Sequence, residues 1–181
     1  MIAIMSRDFF SYLFSLPGIS RKFSRGQLVF DRNDPVKSLF VVESGEVHLL
    51  RRQEDGAEFI LQRATAGTVL AEASLTTPRY HCSAVAMNNA VMTAFSRSDV
   101  LKMIEEDSEV AMALAMHLGR EVRNMRLKAE IASLRKVSER LDAWLAWNDG
   151  KLPDKGKKGL LAQELGVSRE ALYRELANRR N

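Results

Sequence analysis

The chain has 181 residues and a mass of 20.4 kDa, which is enough for one large domain or two small ones. It is 46% hydrophobic and 28% charged, the balance of a soluble globular protein, and no apolar run approaches the ~18 residues that a membrane span needs. A single cysteine, Cys82, excludes an intramolecular disulfide, so we expect a cytoplasmic protein without a membrane partner.

The positive charge of the chain is concentrated at its C-terminal end. The formal net charge is +4, and from Lys151 onward eight basic side chains face four acidic ones. The first 150 residues are therefore neutral in sum. Basic charge gathered in one segment is the electrostatic footprint of nucleic-acid binding.

The N-terminal half is predicted to begin with a short helix over residues 4–16 and to continue as strands. Between residues 23 and 95, short apolar runs alternate with turn residues, and glycines recur every 11 residues at positions 45, 56 and 67. This spacing is typical of a small antiparallel sandwich or barrel. The predicted strands are 27–31, 38–44, 46–52, 58–63, 68–74, 80–87 and 90–96.

Beyond residue 96 the pattern becomes helical, with a short helix over 100–107 and a long one over 109–134. The long helix carries an apolar seam that steps by three or four residues over nearly three heptads. The seam predicts a homodimer of paired helices, and the alternative is one amphipathic helix lying on its own domain. A second apolar line (127, 131 and 134) is expected to pack on the strand-rich domain. The seam consists of Leu114, Leu118, Val122, Met125, Ala129 and Ala132.

The last segment predicts two short helices joined by a tight turn. A helix over 139–147 and a basic connection over 152–159 lead into it. Gly166 follows the first short helix, where a left-handed backbone conformation ends a helix. Small Ala162 permits a close crossing of the two helices. The apolar face of the first helix is predicted to consist of Leu160, Leu161 and Leu165.

The second short helix carries side chains suited to reading DNA bases. Ser168 is its expected N-cap, and Leu172 and Leu176 form its buried side. Arginine can donate two bonds to guanine, and glutamate can accept from cytosine. The pattern is a helix-turn-helix, whose second helix enters the major groove, and the alternative is a solvated helical hairpin. The expected DNA contacts are Ser168, Arg169, Glu170, Tyr173 and Arg174 at the reading face, with Lys157, Lys158, Arg179 and Arg180 at phosphates.

The segments GQLVFDRNDPVKSLFVVESGEV, DGAEF and SREALYR resemble the Crp/Fnr family of transcription regulators, and the likeness extends over essentially the whole chain. The resemblance implies an α+β fold. It has an N-terminal antiparallel β-roll of the double-stranded β-helix or jelly-roll type (1–107), a dimerisation helix and hinge (108–136) and a helix-turn-helix domain (137–181). The family usually continues into a β-hairpin wing, so we expect a truncated wing. The implied partners are DNA, a second copy, a small-molecule effector and RNA polymerase, with no cofactor.

The resemblance also implies an effector pocket in the β-roll. Cyclic-nucleotide-binding members carry Gly-Glu-x-x-Leu followed by Arg-Ser/Thr-Ala. Here Ala71 stands at the glycine, and Cys82 stands at the arginine that pairs with the cyclic phosphate. We therefore expect the cyclic AMP or cyclic GMP response to be absent or weak, with Arg79 as a substitute cation and the effector unidentified. The expected pocket residues are Ala71, Glu72, Ser74, Leu75, Arg79, Cys82, Ser83, Asn124 and Met125.

Other chemistry is less favoured by the sequence. His81 and Cys82 do not predict a shared metal or haem site, because neighbours in a strand point to opposite faces. A lone strand cysteine is most often a small buried hydrophobe. No catalytic motif occurs, so we do not expect an enzyme. The alternative function is a small-ligand-binding or protein-interaction module whose wing-less helix-turn-helix binds DNA weakly or not at all.

Overall fold

A computed structural model describes residues 8–53, 58–153, 156 and 158–179. Contacts divide the chain into two compact units, Met1–Ala115 and Met116–Asn181. The boundary falls inside one long helix, so the separate dimerisation segment remains a prediction. None of the helices in the described ranges has the length and apolarity that a bilayer crossing requires.

The N-terminal unit contains eight strands in its described part and two helices, and it shares a third helix, α3 (Ser108–Ser133), with the other unit. All strand pairings are antiparallel, in two four-stranded sheets ordered β1-β8-β3-β6 and β2-β7-β4-β5. This confirms the predicted α+β fold with an antiparallel β-roll. The remaining elements are α1 (Phe9–Leu13), β1 (Gly18–Phe23), β2 (Leu28–Phe30), β3 (Ser38–Ser44), β4 (Val47–Arg52), β5 (Glu58–Ala64), β6 (Val69–Leu70), β7 (Ser83–Ala86), β8 (Ala90–Ser96) and α2 (Arg97–Glu106).

One predicted strand is much shorter than expected, and one strand was missed. The strand predicted over 68–74 is only β6, because Ala71 adopts a left-handed conformation with φ 72° and begins a 3-10 turn over Glu72–Ser74. Strand β1 was not predicted, because all of its residues except Phe23 are exposed and they show no apolar alternation. It forms instead as a partner of β8.

Strand β3 organises the hydrophobic core of this unit, since both of its faces are buried. Phe40 and Val42 pack in a cluster with side chains from both sheets, whereas Leu39 and Val41 pack in a second cluster with α1, α2 and the start of α3. Adjacent residues of a strand point to opposite faces, so a strand buried on both sides has a continuous apolar sequence. This explains the run in SLFVVES.

The C-terminal unit contains the rest of α3 together with α4 (Val137–Trp147), α5 (Lys158–Glu164) and α6 (Arg169–Asn178). Leu160 was wrongly placed on the buried face of α5, because it is 58% exposed and Ala162 takes the inward position beside Leu161. Leu127 and Ile131 of the second apolar line of α3 pack in this core, neither on the strand-rich domain nor on a partner chain as expected. The core consists of Ile131, Leu141, Leu161, Ala162, Leu165, Leu172 and Leu176.

Candidate functional site

The turn between α5 and α6 has the geometry that the sequence predicts. Gly166 has φ 63°, and the Val167 N–H donates to the Ala162 carbonyl at 2.9 Å, which closes the end of α5. Ser168 is the N-cap of α6, and its hydroxyl oxygen accepts from the Ala171 N–H at 3.1 Å. Both devices satisfy main-chain groups that a helix end leaves without partners. They fix the direction in which α6 leaves the turn.

The outward face of α6 is polar and accessible. Leu172 and Leu176 are buried as predicted, and the remaining face carries exposed cations, a carboxylate and an aromatic ring. The Glu170 carboxylate accepts from its own N–H and from the Ser168 hydroxyl, which lowers the pKa of that carboxyl. Glu170 is therefore ionised at neutral pH and available only as an acceptor. The exposed side chains of this face are Arg169, Glu170, Tyr173 and Arg174.

The start of α5 contributes to the same surface. The Lys158 Nζ lies 5.7 Å from the centroid of the Tyr173 ring, within the range of a cation–π contact. The Arg169 guanidinium lies against Gly159, where an added Cβ would be 3.1 Å from its Nε. One signal in the sequence points to this contact: Gly159 stands in a helix, where glycine costs about 1 kcal/mol relative to alanine. The predicted phosphate contacts Lys157 and Arg180 lie outside the described residues.

Arg140, which sequence reasoning missed, joins two helix ends within the C-terminal unit. Its Nε donates to the Leu134 carbonyl at 2.9 Å and its Nη2 to the Ala132 carbonyl at 3.4 Å, at the end of α3. Its Nη1 donates to the Leu165 carbonyl at 2.9 Å and to the Gly166 carbonyl at 3.1 Å, in the turn before α6. Carbonyls at helix ends lack intrahelical donors, so one guanidinium stabilises both ends. The sequence carried no signal, because every partner is a main-chain atom.

Arg179 makes contacts within the C-terminal unit, and the phosphate contact expected for it remains a prediction. Its Nη1 lies 2.6 Å from the Asp142 carboxylate and its Nε lies 2.7 Å from the Glu175 carboxylate. Its Nη2 donates to the Ser138 carbonyl at 3.0 Å. The two carboxylates raise the pKa of the guanidinium. Arg179 thereby ties the end of α6 to α4.

The predicted effector loop of the β-roll has a left-handed residue at the position where the family pattern has glycine. Ala71 is buried and left-handed, with φ 72° and ψ 11°. Ser74 is buried too, with its Oγ 2.8 Å from the His81 Nδ1. Leu75 packs in the cluster beside α1 and α2, and its carbonyl accepts from the Arg97 Nε at 2.8 Å. Glu72, which follows Ala71 in the sequence, is half-buried.

Cys82 and Ser83 point to opposite sides of the β-roll. Cys82 is 2% exposed in the cluster between the sheets, and this burial raises the pKa of its thiol. The thiol therefore remains protonated and unreactive at neutral pH. The Ser83 hydroxyl instead donates to the Asp31 carboxylate, which lowers the pKa of that carboxyl, and it accepts from the Arg32 N–H at 3.1 Å. Only Cys82 of this pair faces the core.

The other predicted pocket residues are Arg79 in the N-terminal unit and Asn124 and Met125 in the C-terminal unit. Arg79 is exposed, and its Nη1 donates to the Asn33 carbonyl at 2.6 Å. Asn124 and Met125 lie on exposed turns of α3, in the C-terminal unit. The effector-pocket assignment therefore remains a prediction.

The predicted dimer seam of α3 is covered at one end only. Leu114 packs against the second cluster of the N-terminal unit. Val122 and Met125 are 42% and 60% exposed, and Ala129 and Ala132 are exposed as well. Apolar side chains at heptad spacing that remain uncovered are a surface on which another helix can pack.

Known proteins show the same architecture. Residues 20–107 match the model of the cyclic nucleotide-binding domain family. The cyclic AMP receptor protein of Thermus thermophilus is 30% identical over 122 residues, which are 67% of this chain and 56% of that relative. The match thus spans little more than half of the relative's length.

Two solved structures extend the likeness to most of the chain. The catabolite activator protein of Thermus thermophilus is 29% identical with a TM-score of 0.55, covering 94% of this chain and 79% of the other. FixK2 from Bradyrhizobium japonicum has a TM-score of 0.67 at 20% identity, covering 90% and 84%, and so supports the fold alone. With its β-roll, its long helix and its matched cyclic nucleotide-binding domain, the chain belongs to the Crp/Fnr family of regulators.

Proposed function

We propose that this protein is a homodimeric transcription regulator that reads a palindromic DNA site with α6. The observation that carries the proposal is the outward face of α6, where Arg169, Glu170 and Arg174 are exposed while Leu172 and Leu176 are buried. A helix-turn-helix presents its second helix to the major groove in this way. RNA polymerase is the further partner that such a regulator engages.

Base recognition would follow from the chemistry of this face. Each arginine can donate two bonds to the O6 and N7 atoms of guanine, and ionised Glu170 can accept from the N4 amine of cytosine. Lys158 at the start of α5 supplies a cation beside Tyr173 for a backbone phosphate. The rigid capped turn supports the proposal, because it presents these side chains in one fixed orientation.

Dimerisation would place two such helices on one DNA face. The uncovered seam on α3, with Met125 at 60% exposure, provides the contact surface. Two recognition helices about 34 Å apart reach successive major grooves, which makes the preferred site palindromic.

The β-roll would sense an effector other than the usual cyclic nucleotides. Cys82 stands where the resemblance places the arginine that pairs with the phosphate, and its buried thiol is neutral. Without that cation a bound cyclic phosphate has no opposite charge at this position. We therefore propose a regulator whose response is not to cyclic AMP or cyclic GMP.

The proposal is tested by selecting binding sites from randomised duplexes with the wild type and with Arg174→Ala. The wild type should enrich a palindrome with half-site centres one helical turn apart. Arg174→Ala should lose a guanine preference at one position per half-site, since each such contact discriminates by about 1–3 kcal/mol. Arg120→Ala changes an exposed arginine on α3 and is the matched control that should retain the full motif.

Two results would contradict the proposal. Recovery of the same motif by wild type and Arg174→Ala would show that α6 does not read the bases. Enrichment of no sequence by the wild type would favour a ligand-binding or interaction module that does not read DNA.

A further inference from the structure

The C-terminal unit contains a cavity of about 250 Å³ where three of its helices meet. An engineered cavity of about 150 Å³ accommodates benzene, so this one has room for a small organic molecule. Its lining includes none of the exposed residues of α6. The polar lining groups are Asn124 and Lys128 from α3, Asn148 after α4 and Glu164 from α5. The apolar lining is Leu127, Ile131, Trp144 and Trp147.

Both tryptophans of the protein line this one cavity. Trp147 is 50% exposed and Trp144 is half-buried, although indole rings gain the most from burial. Two large aromatic side chains left partly uncovered beside a cavity indicate a surface for a ligand. Trp144 is held in place, since it packs with the helical core and its carbonyl accepts from the Asn148 side chain at 2.8 Å.

The wall formed by the tryptophans and Glu164 suits a cation that has no N–H groups. The faces of indole rings attract cations, and quaternary ammonium groups are commonly bound in such aromatic sites. The Glu164 carboxylate accepts from the Trp144 Nε1 at 2.7 Å. An indole N–H is neutral, so this bond holds the carboxylate at the wall and leaves its negative charge in place.

The positive charge in the cavity lining, opposite in sign to that of Glu164, comes from α3. Lys128 brings an ammonium to the lining, and the Asn124 and Asn148 side chains bring amide groups. A purely cationic ligand would be repelled by Lys128, and a purely anionic one by Glu164. A molecule with one charge of each sign satisfies both.

We propose that this cavity binds a zwitterionic quaternary ammonium compound, with the onium group against Trp144, Trp147 and Glu164 and the carboxylate toward Lys128. Glycine betaine is the smallest molecule with these features and is the probe for the test. The inference does not depend on DNA binding, because every residue that carries it lies in the cavity lining.

The test is a titration of the full-length protein with glycine betaine, followed by tryptophan fluorescence. Both fluorophores line the site, so the signal reports the cavity directly. We expect a saturable change. The matched probe is 3,3-dimethylbutanoate, which has the same shape and carboxylate but a carbon in place of the charged nitrogen. It should bind about two- to thirtyfold more weakly, since a cation–π contact contributes roughly 0.5–2 kcal/mol.

Two variants that each remove one charge test the two charged groups separately. Glu164→Gln keeps an oxygen acceptor for the Trp144 N–H and removes the negative charge of an exposed carboxylate, so betaine should bind about two- to fivefold more weakly. Lys128→Gln should cause a similar loss. Lys102→Gln removes an exposed lysine on α2 and should leave the titration unchanged.

The proposal is overturned by a fluorescence change that rises without saturation, by equal binding of betaine and 3,3-dimethylbutanoate, or by equal titrations of wild type and Glu164→Gln. The comparison of the two probes uses the wild-type protein alone, so it decides the question even if a variant does not fold.

Discussion

The predicted effector loop and the α5–α6 turn each depend on one left-handed residue, but they differ in what surrounds it. In the turn, Gly166 has φ 63°, and the side chains proposed to read bases follow it and are exposed. In the loop, Ala71 adopts φ 72° despite its Cβ, and Cys82 occupies the position of the expected cation. The turn thus carries the side chains that the resemblance implies, whereas the loop has the left-handed residue but lacks the implied cation.

The difference shows that core packing can hold a left-handed backbone at Ala71 although the implied cation is absent from position 82. Ala71 is 4% exposed and belongs to the core cluster between the sheets. A left-handed conformation costs a residue with a Cβ about 1–2 kcal/mol, which the burial of neighbouring side chains readily offsets. The shape of the loop is therefore poor evidence that the pocket binds a cyclic nucleotide. The lack of a positive charge at position 82 is better evidence, and it speaks against such binding.

The largest expected effect comes from placing an arginine at position 82, where the resemblance implies one. Cys82→Arg should raise the affinity for cyclic AMP by about 2–5 kcal/mol, the range measured when one partner of a buried charge pair is removed. It should also lower the stability of the unliganded protein, because an unpaired charge is then buried. Calorimetry should detect binding to the variant and no heat for the wild type at micromolar concentrations. Cys82→Met, which adds bulk without charge, is the control, and submicromolar binding by the wild type would refute the comparison.

The second-largest expected effect is the loss of stability when Arg140, which donates to carbonyls of the α5–α6 turn, is removed. Arg140→Ala removes the donor for four main-chain carbonyls, and the free energy of unfolding of the C-terminal unit should fall by about 2–3 kcal/mol. Urea unfolding followed by tryptophan fluorescence reports this unit, since Trp144 and Trp147 both lie in it. Arg120→Ala should change stability by less than about 0.5 kcal/mol. Equal urea midpoints for Arg140→Ala and Arg120→Ala would show that water satisfies the four carbonyls as well as the guanidinium does.

Exchanging the two left-handed residues should produce effects of opposite sign. Gly166→Ala should destabilise the C-terminal unit by about 1–2 kcal/mol, and its Cβ would lie 3.2 Å from the Arg140 Nη1. Ala71→Gly should stabilise the N-terminal unit by about 0.5–1 kcal/mol, because strain relief exceeds the added flexibility of the unfolded chain.

Thermal unfolding followed by circular dichroism measures the change at position 71, and tryptophan fluorescence measures the change at 166. Ala73→Gly, at an exposed position of the 3-10 turn, should be destabilising and serves as the control. A loss of stability in Ala71→Gly would mean that the backbone at this position is not strained.

The smallest expected effect concerns the contact between the Arg169 guanidinium and Gly159. Gly159→Ala should raise helix stability by up to about 1 kcal/mol, since alanine is the better helix former. The new Cβ should displace the Arg169 guanidinium by a few tenths of an ångström and weaken guanine discrimination about two- to fivefold, less than 1 kcal/mol. Competition between matched duplexes measures the discrimination. Gly156→Ala, at a position with open space, is the control. Unchanged discrimination would show that Arg169 leaves Gly159 when it binds DNA.

The sequence by itself determined the features that depend on neighbouring residues. The predicted bounds of β3 and β8 agree with the structure, and those of α3 differ by one residue at each end. The Ser168 cap and the left-handed Gly166 were also predictable, because each acts on main-chain groups a few residues away. Apolar periodicity identified the buried side of α6 for the same reason.

Only the tertiary structure decided the contacts between distant parts of the chain. Arg140 reaches a carbonyl 25 residues away, and the Ser83 hydroxyl is turned outward by Asp31, 52 residues away. Strand β1 has no apolar pattern of its own and exists through its pairing with β8. The cavity that contains both tryptophans is assembled from three helices. Such features depend on which surfaces the folded core brings together, and local periodicity and propensity carry no record of that.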